Sequence, residues 1–158
     1  MNSPEFVYAI YIKTTPVKLW NAITNPTFTV QYWGHENISD WKKGSKWTHV
    51  GNDKDRTVKL VGEVLESVPP RRLVLTWAEP ADEANRSDHS RVTFDIEPIE
   101  DMVRLTVTHD RLKAGSEMAR RIAGGWPRVL SSMKSFLETG KALDTWAGHE
   151  YDCAKKPA

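Results

Sequence analysis

The chain has 158 residues, of which 39% are hydrophobic and 27% charged, and this composition is typical of one soluble globular domain with a core of useful size. The formal net charge is +1 and the basic residues are dispersed, which argues against nucleic acid as the main partner. Cys153 is the single cysteine, which excludes an internal disulfide, and no apolar run approaches membrane-spanning length, so we expect a cytoplasmic protein with no membrane partner.

The first predicted elements are one strand and two short helices. Phe6 to Lys13 is β-branched and aromatic with little charge, which predicts a strand. Thr15-Pro16 is typical of a helix start, with threonine as the N-cap and proline at the first helical position. Asn25-Pro26 repeats this signal, so the first helix should end before Asn25 and a second short helix should follow.

Alternation of apolar and polar residues then predicts six strands. They cover Glu36 to Trp41, Ser45 to Val50, Arg56 to Ser67, a stretch carrying Leu73, Leu75 and Trp77, Ser90 to Ile96, and Met102 to Asp110. They are separated by turns at Lys42-Lys43-Gly44, Pro69-Pro70-Arg71 and Pro98 to Asp101, and by a long acidic loop from Ala78 to His89. Within the third of these strands, Val58, Leu60, Gly62 and Val64 should share a face, and Gly62 is a candidate bulge.

The last predicted element is a helix between Ser116 and Gly140. Its apolar residues recur every three or four positions and therefore share one face: Met118, Ile122, Trp126, Val129, Leu130, Met133, Phe136 and Leu137. We expect Trp126, Leu130, Met133 and Leu137 to face the sheet. Gly124-Gly125 before Trp126-Pro127 leaves two alternatives, a helix whose strong part begins near Trp126 or one long helix kinked there.

These elements together predict an α+β fold. A curved antiparallel sheet of six to seven strands should wrap around the long C-terminal helix, because the sheet must bury one face and only one long helix is present to cover it. The two short helices can plug one end. Residues 1–140 should form a single domain and residues 141–158 a C-terminal tail without periodicity, in which Leu143 and Trp146 could dock against the domain.

An ordered set of stretches resembles the START-like, or SRPBCC, superfamily. The stretches are FVYAIYIKTTPVKLWNAITNP at 6–26, YWG at 32–34, DWKKGSKW at 40–47, GEVLESVPPRRLVLTW at 62–77, SRVTFDIEP at 90–98, VRLTVTHD at 103–110 and GWPRVLSSMKSFLETG at 125–140. They span nearly all of residues 5–140. Within the superfamily the chain resembles the AHSA1-like branch, named after the C-terminal domain of the activator of heat-shock-protein-90 ATPase. The resemblance implies a helix-grip fold with a cavity between sheet and helix, and it implies no particular reaction.

No spacing in the sequence is typical of a metal or cofactor site. His35, His49 and His89 lack further ligands at metal-binding spacing, and the glycine patterns of nucleotide-binding loops are absent. Cys153 lies in the tail, where a catalytic nucleophile would be poorly positioned. We therefore expect no metal and no cofactor, and we assign no catalytic residue.

His109-Asp110 is the most informative polar pair, because alternation places His109 on the inner face with Val107 at the end of the last strand. Such a group could orient a ligand or move a proton inside an apolar cavity. The alternative, which we favour, is a histidine whose hydrogen bonds are satisfied near the strand end.

The seven tryptophans favour a protein that binds a hydrophobic small molecule, because rigid aromatic walls suit flat apolar ligands. The predicted cavity wall consists of Trp33, Trp47, Leu60, Leu75, Trp77, Phe94, Leu105, Val107, His109, Trp126 and Leu130. Trp33 and Trp47 are expected at its mouth. The first hypothesis is a non-enzymatic cytosolic binding module for an apolar or aromatic small molecule.

Two alternatives come from other classes. A cyclase- or hydrolase-like enzyme acting on a hydrophobic substrate in the same cavity would need a polar pair, such as His109 with Asp110 or Tyr32, facing the pocket. A chaperone ATPase-activator-like interaction domain is disfavoured, because the activator's separate N-terminal domain has no room in 158 residues. A homodimer or a chaperone contact stays open as a partner.

Overall fold

The computed structural model describes residues 5–145, and in this range it consists of a seven-stranded antiparallel sheet and three α-helices. The strands are β1 (Phe6–Ile12), β2 (His35–Ile38), β3 (Lys46–Gly51), β4 (Val58–Val68), β5 (Arg72–Trp77), β6 (Ser90–Ile99) and β7 (Met102–Asp110). The helices are α1 (Pro16–Thr24), α2 (Pro26–Trp33) and α3 (Glu117–Thr139). Two short 3₁₀ turns, Pro80–Asp82 and Arg86–Asp88, lie in the loop between β5 and β6.

The strand order is β1-β7-β6-β5-β4-β3-β2, so β2 to β7 form a meander and β1 joins the free edge of β7. Every neighbouring pair is antiparallel. The sheet curls into a half-barrel around α3, which confirms the predicted helix-grip architecture. The core lies between the inner face of the sheet and α3, and α1 and α2 pack near β2 and α3.

Both short helices begin at the residues that the sequence predicts. The Thr15 hydroxyl accepts a hydrogen bond from the Lys18 amide at 3.2 Å, and the Asn25 side chain accepts one from the Thr27 amide at 2.9 Å. Each cap satisfies an amide that has no partner within its helix, and a proline follows each cap at the first helical position. The α2 helix ends at Gly34, which adopts a left-handed conformation with φ of 78°.

Of the two alternatives for α3, the structure shows the single long helix and not a helix whose strong part begins near Trp126. It starts at Glu117, where the Ser116 hydroxyl caps the Ala119 amide at 3.1 Å, and continues through Gly124-Gly125 and Pro127 as one element of 23 residues. Its apolar face faces the sheet as predicted, with Trp126, Leu130 and Met133 buried and Leu137 partly buried. Tertiary burial of this face overrides the low helix propensity of the two glycines.

Two strand ends and the facing of one residue differ notably from the predictions. The β2 strand ends at Ile38 rather than Trp41, whose backbone is left-handed at φ 60°. The β6 strand continues through Pro98 to Ile99, so the turn to β7 is only Glu100-Asp101. Val58 is 41% exposed instead of facing the core, because pairing between β3 and β4 shifts by one residue near it.

Gly62 is not a bulge, because the register shifts in β4 lie between Val58 and Leu60 and between Val64 and Glu66. Gly62 instead allows another side chain to cross the strand. A Cβ on Gly62 would lie 1.9 Å from the Thr76 carbonyl oxygen and 2.2 Å from Nε1 of Trp47. That indole nitrogen donates to the same Thr76 oxygen at 2.7 Å, so only glycine leaves room for the bond.

Within residues 5–145, no helix is both long and apolar enough to cross a bilayer. Of the two tail residues expected to dock, Leu143 forms backbone hydrogen bonds with the buried Ser132 hydroxyl, while its side chain is 50% exposed. Trp146 and Cys153 lie outside the described residues.

Candidate functional site

Four tryptophans from different elements meet inside the half-barrel, and we call them the Trp cluster: Trp33, Trp47, Trp77 and Trp126. Trp77 is at its centre, with ring centroids 4.9 Å from Trp47, 5.4 Å from Trp126 and 6.3 Å from Trp33. The ring planes are tilted or offset, which is the arrangement that aromatic quadrupoles favour. Trp47 comes from β3 and Trp77 from β5. Trp33 is the last residue of α2, and Trp126 lies within α3.

His109 lies beside this cluster and is fully buried. Its Nδ1 accepts a hydrogen bond from the Trp126 indole N–H at 3.1 Å, and its Nε2 lies 2.8 Å from the Ser90 hydroxyl. The same hydroxyl donates to the Trp77 carbonyl oxygen at 2.9 Å. Three hydrogen bonds therefore connect the last strand to α3 and to the neighbouring strands.

Counting donors determines the protonation state of His109. The Trp126 indole can only donate, so Nδ1 must carry a lone pair, and the Ser90 proton is already used by Trp77. The proton must therefore be on Nε2, which donates to the Ser90 oxygen, and the ring is neutral. Burial lowers the pKa of His109 to about 3, although the nearby Asp110 carboxylate acts in the opposite direction.

Asp110 faces away from this network. Its carboxylate forms a two-armed ion pair with the guanidinium of Arg91, at 2.9 Å and 2.6 Å. This pair lowers the pKa of Asp110, so the carboxylate is ionised, and both of its oxygen atoms accept hydrogen bonds from Arg91. His109 and Asp110 do not act as a joined acid–base pair, and the interpretation of His109 as a satisfied core histidine agrees with the geometry.

A second polar group, formed by His35, His49 and Asn37, lies under α1 and α2. The two imidazoles stack with centroids 4.4 Å apart and planes 10° from parallel. Nδ1 of His49 lies 2.6 Å from the Asn37 side-chain oxygen, and Nδ1 of His35 lies 3.1 Å from the Trp33 carbonyl oxygen. Burial lowers the pKa of both histidines, which keeps the pair neutral and lets the rings stack without charge repulsion.

A fourth histidine, His89, fixes the loop between β5 and β6. His89 is buried, and its Nε2 lies 3.0 Å from the Asp82 carbonyl oxygen and 3.2 Å from that of Glu83. The loop is also tied to other elements by exposed ion pairs of Glu79 with Arg121 and of Asp88 with Lys113. Because such ion pairs contribute little in water, the buried histidine is the main anchor.

This loop forms one wall of a pocket of about 220 Å³ at the N-terminal end of α3. Its uncharged lining consists of four apolar residues and two serines: Trp77, Ala78, Leu112, Met118, Ser90 and Ser116. Its rim carries both signs of charge: Glu79, Asp82, Asp88, Arg111, Lys113 and Glu117. The pocket therefore offers an apolar floor that begins at the centre of the Trp cluster and a charged entrance.

All the residues predicted to line a cavity lie in the one core. Nine of the eleven are buried, and Trp33 and Leu60 are partly buried against them. Only Trp77 of this set also lines the pocket at the start of α3. Trp47 is 1% exposed and lies inside the core, not at a mouth. Whether these residues contact a ligand stays a prediction.

Sequence reasoning missed Ser90, Leu112 and Met118 as pocket residues. Ser90 could have been found, because alternation from Val92 and Phe94 directs it inward, and β6 pairs beside His109. Leu112 follows the last strand in a loop, where periodicity carries no information. Among residues 5–145, no three histidine, cysteine or acidic side chains are grouped to hold a metal ion.

Comparison with known proteins gives one family and a consistent fold. The family model described as activator of Hsp90 ATPase homolog 1-like protein matches residues 13–138. A search of curated proteins finds no match. Many solved structures match, and each of those described next is under 25% identical, so the likeness concerns the fold.

The Aha1 dimer from Colwellia psychrerythraea has a TM-score of 0.74 and 20% identity, over 88% of this chain and 99% of that chain. An HSP90 activator from Plasmodium falciparum has a TM-score of 0.68 and 24% identity, over 84% and 95%. CalU16 from Micromonospora echinospora has a TM-score of 0.70 and 20% identity, over 90% and 78%. The TM-scores show that these structures share the overall fold of this chain.

Proposed function

The chain belongs to the activator of Hsp90 ATPase homolog 1-like family of START-like proteins, and on this premise we propose that it is a non-enzymatic binding module of the cytoplasm for a small aromatic or apolar molecule. The observation that carries the proposal is the pocket at the start of α3, whose floor is the central ring of the Trp cluster. Its ligand places a flat apolar group on Trp77, Leu112 and Met118.

The size of the pocket limits the ligand. An apolar cavity of roughly 150 Å³ can hold a benzene molecule in another protein. The pocket here, at about 220 Å³, therefore suits a ligand with one or two rings. The charged rim favours a polar substituent that stays in solvent, while the apolar ring enters.

The enzyme alternative lacks a free acid or base at the pocket floor. Both ring nitrogen atoms of His109 are hydrogen-bonded, to Ser90 and to Trp126. Ser90 lines the pocket, but its hydroxyl donates to the Trp77 carbonyl oxygen. A general base must reach the proton that it removes, directly or through one water. The geometry thus favours binding over proton transfer.

Native mass spectrometry tests the proposal. The full chain, purified from growing cells without denaturant, should carry a small molecule at close to one per protein. Met118→Trp should abolish this added mass, because the larger side chain fills the pocket. Met102→Trp is the matched control, since Met102 begins β7 while the pocket lies beyond the strand's other end, Asp110, about 26 Å along the strand at 3.3 Å per residue. Equal added mass in both variants, or none in the unaltered protein and no binding of added indole or 1-naphthol, would contradict the proposal.

A contact with the chaperone is the second candidate, and the family description together with the similar HSP90 activator from Plasmodium falciparum favours it. The measurement is the ATPase rate of purified Hsp90 with and without this protein. An increase that saturates with protein concentration supports this candidate. If the Met118→Trp variant increased the ATPase rate as much as the unaltered protein, the chaperone contact would be independent of the pocket.

A further inference from the structure

The rim of the pocket at the start of α3 carries six charged residues, and most of them already have a partner of opposite charge. Four of the six belong to ion pairs within the rim or with α3: Lys113 with Asp88, Glu79 with Arg121, and Glu117 with Arg120 and Arg121. The charges of these four are therefore compensated by the protein itself. The other two rim residues, Arg111 and Asp82, determine which charge the entrance offers to a ligand.

Arg111 is a cation that is available to a ligand. Its side chain forms no ion pair and no hydrogen bond with any group of residues 5–145, and the residue is exposed. The preceding residue, Asp110, is close enough for the two charges to interact, but both of its carboxylate oxygen atoms accept hydrogen bonds from Arg91. A guanidinium presents its N–H donors in a planar fork that matches the two oxygen atoms of a carboxylate.

Asp82 does not give the entrance an equal preference for cations. Lys113 binds the Asp88 carboxylate at 2.6 Å, and its pKa is raised by Asp88 and in addition by Asp82. One ammonium group therefore interacts with both carboxylates, so the charge of Asp82 is partly compensated. Arg111 is the rim charge that remains for a ligand.

The backbone places Arg111 beside the apolar part of the pocket. Arg111 follows the end of β7 directly and adopts a left-handed conformation with φ of 60°. This conformation is unfavourable for a residue with a Cβ, and glycine or asparagine would adopt it more easily. The next residue, Leu112, is 5% exposed and lines the pocket. Two consecutive residues thus offer a ligand one cation and one apolar contact, with Cα atoms about 3.8 Å apart.

We propose that Arg111 is the specificity-determining residue of this pocket and that the ligands are aromatic carboxylates of one or two rings. The ring lies on Trp77, Leu112 and Met118, and the carboxylate, attached directly or through one methylene group, accepts hydrogen bonds from the guanidinium at the rim. This assignment rests on the proposed binding function and adds the charge of the ligand to it.

Three naphthalene derivatives of similar size and different charge test the assignment: 1-naphthoate, its neutral isostere 1-naphthamide, and the cation 1-naphthylmethylammonium. Calorimetric or NMR titration of the full chain at pH 7.5 should give 1-naphthoate a dissociation constant about fivefold lower than that of 1-naphthamide, as expected for a charge-assisted pair that is partly exposed. The ratio of the two constants should decrease as the salt concentration rises, because salt screens exposed charges.

Substitutions of Arg111 identify the source of this ratio. Arg111→Gln should bring the two dissociation constants to within about twofold of each other. Arg111→Lys keeps the charge but not the planar fork, so it should restore only part of the ratio. Arg104→Gln is the matched control and should keep the ratio, because it removes one positive charge near the start of β7, where Arg104 pairs with Glu97.

The outcomes separate this assignment from the binding proposal on which it rests. If 1-naphthoate binds no more tightly than 1-naphthamide, if the ratio survives in Arg111→Gln, or if the ammonium compound binds most tightly, the assignment is wrong and the binding proposal stands. If none of the three compounds binds, and indole does not bind either, both are wrong.

Discussion

The Trp126 indole N–H donates to Nδ1 of His109 at 3.1 Å, and this bond joins the middle of α3 to the end of β7. Both groups are buried, at 3% and 0% exposure, so water cannot replace the bond. An unpaired group at this depth is costly, and the bond therefore sets both the orientation of the indole and the tautomer of the imidazole. It positions the helix on the sheet and, through Ser90, supports the floor of the pocket.

Removing this tryptophan should strongly destabilise the fold. Trp126→Ala should lower the free energy of unfolding by about 3–5 kcal/mol, because a large buried side chain leaves a cavity. Trp126→Phe keeps most of the volume but leaves Nδ1 without a donor, which should cost about 1–3 kcal/mol. Urea unfolding at pH 7.5 measures both. A cost below about 1 kcal/mol for Trp126→Ala would show that the helix is not packed as described.

The buried histidines should make the protein less stable in mild acid. The pKa of His109 is lowered to about 3 by burial, whereas an unfolded histidine titrates near 6.5. As the pH falls below 6.5 the unfolded chain binds a proton that the folded chain refuses, so the free energy of unfolding falls. The loss at pH 5 should be about 2 kcal/mol from His109 alone. It should level off near pH 3, where the folded state also takes up the proton.

His109→Gln provides the control for this pH effect. The variant should be less stable at pH 7.5, but its stability should fall less between pH 7.5 and pH 5 than that of the unaltered protein. His35 and His49 remain in the variant, and their lowered pKa values should give the residual dependence. Identical pH profiles of urea unfolding for the two proteins would show that His109 is not buried in its neutral form.

Gly62 should tolerate no side chain. Gly62→Ala places a methyl group 1.9 Å from the Thr76 carbonyl oxygen, a backbone atom that cannot move without opening the sheet. We expect a loss of at least about 3 kcal/mol, at the upper end for overpacking. Gly51→Ala is the matched control in the neighbouring strand, because its nearest contact is the flexible end of Lys59 at 3.3 Å. Similar melting temperatures for the two variants would contradict the described path of Trp47.

Folding should not need a metal, because the four histidines within residues 5–145 are hydrogen-bonded to other groups and no suitable group of ligands exists in that range. Elemental analysis after dialysis should find zinc, iron and copper well below one per chain. The melting temperature should be the same with and without a chelator. A drop on chelation that is reversed by adding back one of these metals would show that the prediction is wrong.

The sequence predicts the fold well because the fold depends on periodicity and on local caps. Alternation along β7 and the three-to-four spacing along α3 identify the two buried faces, and Thr15 and Asn25 mark two helix starts. The start of α3 is less predictable. Two glycines and a proline lower its intrinsic propensity, and only the burial of Ile122 and Trp126 against the sheet carries the helix through them.

The polar contacts of the site are not readable from the sequence. His35 and His49 are far apart in the chain and meet only because β2 and β3 pair, and Trp47 reaches Thr76 only where Gly62 lets it pass. The pocket was missed for a related reason. It forms where a loop, a strand end and the first turn of α3 come together, and none of these leaves a periodic pattern.

The most direct test of the binding proposal is an NMR screen of the full chain with compounds of one or two aromatic rings, including indole and 1-naphthol. The proposal predicts saturable shifts confined to signals of Trp77, Ala78, Leu112 and Met118, and their loss in Met118→Trp but not in Met102→Trp. Absence of saturable shifts for every compound, or shifts that persist in Met118→Trp, would contradict it.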